Sequence, residues 1–314
     1  MQKLIYISLI EIKVNTVYPY SGYGKIDMMS GQLTLKQMDT MANTIRQDII
    51  RMLEEAGSGH SAGPLGMADI FTALYFSVLQ HDPHNPDWAE RDILLLSNGH
   101  TVPVRYATMA RAGYFPIDEL MTLRKFGSRL QGHPERVRLP GVEATSGPLG
   151  SGLSQGAGMA YTMAYIDMNP QRWVYVMMGD GELNEGNIWE AAMFAGKYKL
   201  HNLVGIIDRN NIQIDGNTED VMPLEDLKGK WESFGWHVLE IDGNNIESVI
   251  DACSMARAIT NKPSVIIAHT IPGKGVDFME YDYHWHGAPP NSEQAKTALK
   301  ELRTLAGKIR SEHE

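Results

Sequence analysis

The run Arg172-Trp173-Val174-Tyr175-Val176-Met177-Met178-Gly179-Asp180-Gly181-Glu182 brings an apolar stretch to a carboxylate set between two glycines. A second run, Leu203-Val204-Gly205-Ile206-Ile207-Asp208-Arg209-Asn210-Asn211, ends on paired amides. Each reads as a strand running into a polar turn. In a right-handed strand-helix-strand unit both turns emerge at the carboxyl edge of one sheet, where open α/β folds bind ligands. Asp180 and Asn210 then face each other across one crevice. A carboxylate and an amide oxygen, joined by a backbone carbonyl and two diphosphate oxygens, make a hard oxygen shell suited to Mg2+. Glycines on either side of Asp180 allow a sharp turn and close approach of backbone to phosphate. A lone Gly-Asp-Gly is more often a tight turn than a site, so the weight comes from its context after a strand, with an Asn-ended strand to follow.

Four glycine-flanked histidines add acid–base chemistry: Ser58-Gly59-His60, Leu96-Ser97-Asn98-Gly99-His100, Gly132-His133-Pro134-Glu135 and His286-Gly287-Ala288-Pro289. Imidazole donates or accepts near neutral pH. Ser146-Gly147-Pro148-Leu149-Gly150-Ser151-Gly152-Leu153 is a glycine-rich turn entering a helix of small residues, and such a start presents free N–H groups and a positive dipole end to an anion. His81 and His84 lie in a Pro-rich run and read as a solvated loop. His284, beside His286 among Tyr281, Tyr283 and Trp285, reads as packing rather than half of a metal pair. Lys274 in Pro272-Gly273-Lys274-Gly275 lacks the Walker spacing and reads as part of a mobile loop near the site.

The elements that must position these groups follow from periodicity. Met38, Ala42, Ile45, Ile49, Met52, Leu53 and Ala56 recur at helical steps until Gly57. A second helix is expected over Met67 to Leu79, ended by His81-Asp82-Pro83-His84-Asn85-Pro86. Short apolar runs at Ile93 to Leu96, Val174 to Met178, Leu203 to Ile207, Val238 to Ile241 and Val265 to Ala268 read as buried parallel strands. Helices are expected between them, at Leu153 to Ile166, Ile188 to Tyr198 and Ile246 to Ala258, with a polar terminal helix from Ser292. This alternation predicts an α/β fold, a doubly wound, mostly parallel sheet with helices on both faces. Residues 31–314 form one such domain, and residues 1–30 an N-terminal extension, with Met28 or Met29 as a natural start. Its apolar stretch Leu4 to Ile10 makes a poor export signal, because Glu11 and Lys13 interrupt it.

Lys plus Arg number 28 against 38 Asp plus Glu, a net charge of −10, which disfavours nucleic acid or an anionic membrane as partner. Cys253 is the single cysteine, so no intrachain disulfide forms and a reducing, cytoplasmic setting is expected. No run approaches the ~20 apolar residues of a membrane span.

Gly-Asp-Gly after a strand, a helix, then a strand ending in Asn-Asn is the thiamin-diphosphate signature. The segments Glu185-Gly186-Asn187-Ile188-Trp189-Glu190-Ala191 and Ile212-Gln213-Ile214-Asp215-Gly216, with the four histidine segments, resemble transketolases. The resemblance implies thiamin diphosphate and Mg2+ as cofactors, with Ca2+ or Mn2+ as substitutes. It implies metal ligation by Asp180, Asn210 and Ile212, and cofactor contacts from Gly147, Pro148, Leu149 and Gly150, from Gly179, Asp180 and Gly181, and from Glu185, Asn210 and His286. By the same resemblance His60, His100, His133 and His286 are the catalytic residues, around the thiazolium carbon and the substrate oxygens. Glu185 and Glu190 would lie where two active chains meet; otherwise they are an ordinary acidic pair at a helix start. Two departures leave substrate detail open: Ser151 stands where a glutamine is usual, and Ser61-Ala62 replace the usual Pro-Gly.

The resemblance runs from about Leu33 to the end of the sequence, whereas a full transketolase continues into a pyrimidine-binding domain and a smaller C-terminal domain. That remainder holds the glutamate that protonates the aminopyrimidine ring and most sugar-phosphate contacts. The resemblance therefore implies the N-terminal subunit of a split transketolase of carbohydrate metabolism and the pentose phosphate pathway. It would transfer a two-carbon ketol unit from a ketose phosphate to an aldose phosphate with a separate C-terminal subunit, most simply as an α2β2 heterotetramer. The α chain of a 2-oxoacid decarboxylating complex and a deoxyxylulose-phosphate synthase relative share the same core, and a non-catalytic cofactor-binding module is the alternative outside enzymes. Ser-Asn-Gly-His and Glu-Gly-x-x-Trp-Glu-Ala favour transketolase. The physiological sugar is not named by these residues.

Overall fold

Thr34 starts the first helix with a reciprocal cap: the Gln37 side chain accepts from the Thr34 N–H at 2.8 Å and the Thr34 hydroxyl accepts from the Gln37 N–H at 3.4 Å, an arrangement worth about 1 kcal/mol. This helix, α1 (Leu35–Ala56), buries Met38, Ala42, Ile45, Ile49, Met52 and Leu53, and Gly57 ends it at a left-handed φ of 62°. The computed structural model describes residues 33–304 apart from residue 170, so the expected extension over 1–30 and its start sites lie outside the described residues.

The helix expected over Met67 to Leu79 forms as α3 (Ala68–Ala73) running directly into a π-helical turn (Leu74–Val78), and a short α2 (Ala62–Gly66) precedes it across a break at Met67, where ψ is 0°. The backbone of Gly66 presses on a loop at this break, since a Cβ there would stand 2.8 Å from the Ile271 carbonyl oxygen. The chain continues through β1 (Ile93–Leu96), α4 (Val102–Arg111) and α5 (Ser151–Tyr161), whose last turn widens into a π-helical one over Thr162–Ile166. Then come β2 (Val174–Gly179), α6 (Gly186–Tyr198) and β3 (Leu203–Arg209). A small hairpin, β4 (Ile212–Gln213) and β5 (Gly216–Asn217), leads to α7 (Thr218–Val221) and α8 (Leu227–Ser233). The described chain closes with β6 (His237–Asp242), α9 (Ile246–Ala258), β7 (Ser264–His269) and α10 (Ser292–Thr304).

The large sheet has the order β1-β2-β3-β7-β6 and every pairing is parallel. The chain steps from β1 to β3, crosses to the far edge for β6 and returns with β7 beside β3. Helices cover both faces. Leu94, Leu96, Tyr175, Met177, Val204 and Ile206 belong to one core with residues of α1, α3, α4, α9 and α10. Ile93, Leu95, Val174, Val176, Met178 and Ile207 belong to the other, with α5, α6 and α8. The alternation is the period-two direction of strand side chains. Each buried aliphatic side chain contributes about 1.5–3 kcal/mol, which is why β1, β2, β3 and β7 read as apolar runs; β6, expected to be buried, is an edge strand that is only partly covered and exposes Glu240.

Two glycines let α5 lie against this sheet. A Cβ on Gly156 would stand 2.5 Å from Val176 Cγ2, and one on Gly152 2.4 Å from Ser97 Cβ. The N-terminal turn of α5 therefore comes up beside the strand ends. Register does the rest: Gly179 pairs with Asp208, so the residues that follow, Asp180 and those after Arg209, leave the sheet side by side. Among the described residues no helix is long and apolar enough to cross a membrane, and Cys253 is a buried free thiol in α9.

Candidate active site

A cavity of about 350 Å³ opens at the carboxyl ends of β1, β2 and β3, within the range of small-molecule sites. His60, His100, His133 and His286 line it together with Asp180 and Asn210. Gly147, Leu149, Gly179, Gly181 and Ile212 line it as well; Pro148, Gly150 and Glu185 do not.

Asp180 is buried and heavily bonded. Its Oδ2 accepts from Arg209 Nη1 at 2.9 Å, the Asn211 N–H at 2.8 Å and the Thr218 hydroxyl at 3.3 Å, whereas Oδ1 accepts only the Gly181 N–H at 2.8 Å. Burial raises the pKa of this carboxyl, against the lowering effect of Arg209 and the N–H donors. Asn210 donates from Nδ2 to Asp208 Oδ2 at 2.6 Å, and its Oδ1 accepts the Ile212 N–H at 3.0 Å. Asp208 thus fixes the amide's orientation. The Thr270 hydroxyl donates to the other oxygen of Asp208, and complete burial pushes that carboxyl up to about 7, with the Asp180 charge adding to the rise.

Three of the histidines form one cluster. Ring centroids are 4.7 Å apart for His60 and His100, 5.4 Å for His100 and His286, and 5.9 Å for His60 and His286. Burial lowers His60 to about 4, helped by His286, the Arg124 guanidinium and His133. Burial holds His100 well below its ordinary value and lowers His286 and, less buried at the rim, His133. Each shift favours the neutral ring. The buried Nδ1 atoms of His60 and His286, Asn98 Oδ1 and Ser146 Oγ have no hydrogen-bond partner among the described residues, and buried polar atoms of that kind call for a polar ligand.

These observations test the implied cofactors. No three His, Cys, Asp or Glu side chains converge as a metal cluster among the described residues, which excludes a zinc-type cage but not an oxygen set. Asp180 Oδ1 keeps a free lone pair, Asn210 and Ile212 line the same cavity, and the Asn210 amide oxygen accepts only the Ile212 N–H among the described residues. That donor set fits a hard divalent ion shared with a diphosphate.

Four expectations need correction. The first turn of α5 does not offer free N–H groups: the Gly150 N–H goes to Glu182 Oε1 at 2.6 Å, the Gly152 N–H to Ser97 Oγ at 3.1 Å, and the Ser151 N–H to the Pro148 carbonyl at 3.4 Å. Glu182, which carries no role in the sequence motif and lines the cavity, takes the Gly150 N–H together with the Ser97 hydroxyl and the Gly179 N–H and so ties three chain segments together in the cavity wall. Lys274 is 3% exposed, and its loop is anchored through the Gly273 N–H on Ala62 O and the Gly275 N–H on Glu280. It is not a mobile loop. His81 is no solvated residue either: Nε2 donates to the Tyr75 carbonyl at 2.7 Å and Nδ1 accepts from the Tyr114 hydroxyl at 2.9 Å, whereas His84 is exposed as expected. His284, expected to pack, is exposed and bonds Asp282 at 2.6 Å while stacking on Tyr283. Glu185 and Glu190 are both exposed at the start of α6.

Known proteins share this fold and a substantial part of its sequence. A family model described as "Transketolase, thiamine diphosphate binding domain" matches residues 37–306. The chain belongs to the transketolase family. A relative from Clostridium sp. (strain MSTE9), "6-deoxy-6-sulfo-D-fructose transketolase subunit SqwG", is 44% identical over 261 residues, covering 83% of this chain and 94% of the relative. An apulose-4-phosphate transketolase subunit of Phocaeicola vulgatus is 39% identical, covering 90% of this chain and 99% of that one. Mouse transketolase is 38% identical over 90% of this chain but only 44% of its own length. Among solved structures, the transketolase of Campylobacter jejuni superposes with a TM-score of 0.81 at 34% identity, covering 86% of this chain and 43% of that one. The chain thus spans less than half the length of the solved transketolases it matches.

Proposed function

We propose that this transketolase-family chain is the N-terminal, cofactor-binding subunit of a two-chain transketolase that moves a two-carbon ketol unit from a ketose phosphate to an aldose phosphate. The observation that carries the reading is the meeting in one cavity of a one-sided carboxylate, an oriented amide oxygen and four imidazoles whose neutral form is favoured. In this reading Asp180 Oδ1, Asn210 Oδ1 and the Ile212 carbonyl hold Mg2+, with Ca2+ or Mn2+ able to replace it, and two diphosphate oxygens join the shell. Thiamin diphosphate, when bound, supplies the carbanion-stabilising centre that allows a carbon–carbon bond of the ketose to break. Gly147, Pro148, Leu149 and Gly150 flank the cofactor, with Gly179 and Gly181 close to the diphosphate.

The histidines supply acid–base groups. A neutral imidazole at His60, His100 or His286 accepts a substrate hydroxyl proton at one nitrogen or donates to a substrate oxygen at the other. Burial, joined at His60 and His100 by the charge of the neighbouring rings, disfavours their charged forms and keeps them available as acceptors. His133, at the rim, serves the outer part of the substrate.

Support for a separate partner comes from two relatives that are named as subunits and matched over 94% and 99% of their lengths. The partner would carry the pyrimidine-binding domain, most simply in an α2β2 assembly, with Glu185 and Glu190 at the face between chains. The net charge of −10 and the single cysteine support a cytoplasmic setting in carbohydrate metabolism. The test is to purify the chain with and without the partner encoded beside it and to assay transfer from xylulose 5-phosphate. Activity only in the pair is expected, and full activity of the chain alone refutes the two-chain reading. In parallel, Asp180→Ala is expected to abolish Mg2+-dependent retention of thiamin diphosphate; unchanged retention removes Asp180 from the ligand set.

A further inference from the structure

Ser61 stands at the start of α2 and is fully buried, yet its hydroxyl does not cap that helix. A serine in this place ordinarily accepts a hydrogen bond from the second or third N–H of the helix it starts. Here the hydroxyl turns away and donates to the Ala288 carbonyl at 2.6 Å. The backbone beneath it is held on both sides: the Leu65 N–H donates to the Ser61 carbonyl at 3.1 Å, and the Gly273 N–H to the Ala62 carbonyl at 2.9 Å. Ser61 therefore reaches out from a fixed platform to another segment.

The segment that it reaches has few other holds. Trp285 packs on Phe278 before it and Pro290 is buried after it. Between them, among the described residues, no other hydrogen bond joins residues 286–290 to a different part of the chain; the His286 N–H goes to the Tyr283 carbonyl within the same turn. Gly287 is exposed and lies over the His60 ring, since a Cβ there would stand 3.8 Å from His60 Nε2 and 3.2 Å from Ile214 Cδ1.

The consequence falls on two imidazoles. His60 directly precedes Ser61, and His286 lies two residues before Ala288. Their ring centroids are 5.9 Å apart in an edge-to-face arrangement at 82°. Neither Nδ1 has a hydrogen-bond partner among the described residues, so no bond at that atom orients either ring. The rings take their relative position from their backbones, and the Ser61 hydroxyl joins those backbones. We propose that Ser61 is a positioning residue, a hydroxyl latch that holds the segment of His286 against that of His60 and so sets the spacing of the two imidazoles at the substrate. Proline, usual at this position in transketolases, has neither a hydroxyl nor an N–H to donate, so the latch belongs to chains that have exchanged it. In the proposed transfer both rings meet substrate oxygens, and a misplacement of about 1 Å at such groups costs about 100-fold in rate.

For catalysis the inference rests on the proposed transfer reaction, and the experiment separates the two. The full chain with isotope-labelled histidines, as wild type, Ser61→Ala and Ser61→Thr, is probed by NMR for the nuclear Overhauser signal between the His60 and His286 rings, with melting curves as a fold check. The same three proteins are assayed with the partner chain for transfer from xylulose 5-phosphate. Ser61→Ala is expected to lose the ring-to-ring signal and to lower kcat about tenfold, with KM changed less than about twofold. Ser61→Thr keeps the hydroxyl and should restore the signal and bring kcat to within about threefold of the wild type; if it does not fold, Ser61→Ala carries the test. A purely structural role would lower the melting temperature of Ser61→Ala and leave the signal and kcat as they are, and that result overturns the latch. A lost signal with unchanged kcat overturns the positioning role. A wild-type pair without transfer activity overturns the proposed reaction, and the ring signal then decides by itself whether Ser61 sets the spacing.

Discussion

Replacing His60 tests the electrostatics of the cavity most directly, through stability rather than turnover. Folding holds this imidazole at about 4 against 6.5 in the open chain, with burial as the main cause. Between these values the unfolded chain takes up a proton that the folded one refuses, so stability present above 6.5 is lost as the pH falls towards 4. At pH 5 the unfolded imidazole is almost fully protonated and the folded one largely neutral, which corresponds to a loss of about 2 kcal/mol from this one group. Urea unfolding of the wild type and of His60→Gln at about pH 7.5 and about pH 5 measures the difference. Glutamine does not titrate, so the variant should lose about 2 kcal/mol less over that interval. His286 and His133 contribute to the lowering of His60 through their charge, after burial, whereas their own lowering comes first from burial, so their titration remains in both proteins. Parallel acid limbs in the two proteins would refute the argument that the cavity keeps this ring neutral.

Two further outcomes follow from packing. A Cβ on Gly196 in α6 would stand 1.9 Å from the Phe234 carbonyl oxygen, whereas one on Gly158 in α5 meets nothing within 4 Å. Gly196→Ala should therefore lower stability by about 3 kcal/mol, and Gly158→Ala should raise it by about 0.5–1 kcal/mol, both read from urea midpoints; equal effects would contradict the helix placement. Glu182→Ala leaves the Gly150 and Gly179 N–H groups and the Ser97 hydroxyl without their acceptor, a loss of about 3 kcal/mol or more, and a melting temperature unchanged from the wild type would show that Glu182 does not tie these segments together.

The parts of the molecule legible in the sequence are those set by short-range pattern. Ile93–Leu96 and Ile246–Ala258 form as expected because each is apolar at the right period, and the Asn245 side chain caps the start of the second. The Asp180 and Asn210 turns meet because the parallel register that carries Gly179 beside Asp208 follows from two equal apolar runs. Features that depend on partners far along the chain are not legible in this way. His81 looks solvated in its Pro-rich run, yet its neighbours are the Tyr75 carbonyl and Tyr114 hydroxyl, and no local pattern announces that cage. The α5 start looks like an anion site by composition, but the carboxylate that occupies its first N–H comes from the turn after β2. Glu182 and Arg209 both lie inside motifs whose weight rests on other residues. Their polar neighbours in sequence hide them, and only their burial, which requires a partner for each charge, marks them out.

The Ser61 hydroxyl donates to the Ala288 carbonyl at 2.6 Å across a sequence separation of 227 residues. This contact joins the segment of His60 to that of His286, so the histidine cluster is completed by nearly opposite ends of the described chain. During synthesis the early imidazole must wait, without its later neighbour, until the segment around residue 286 has emerged from the ribosome. A nascent chain can complete the five strands of the parallel sheet, which ends at His269, and still lack this histidine cluster.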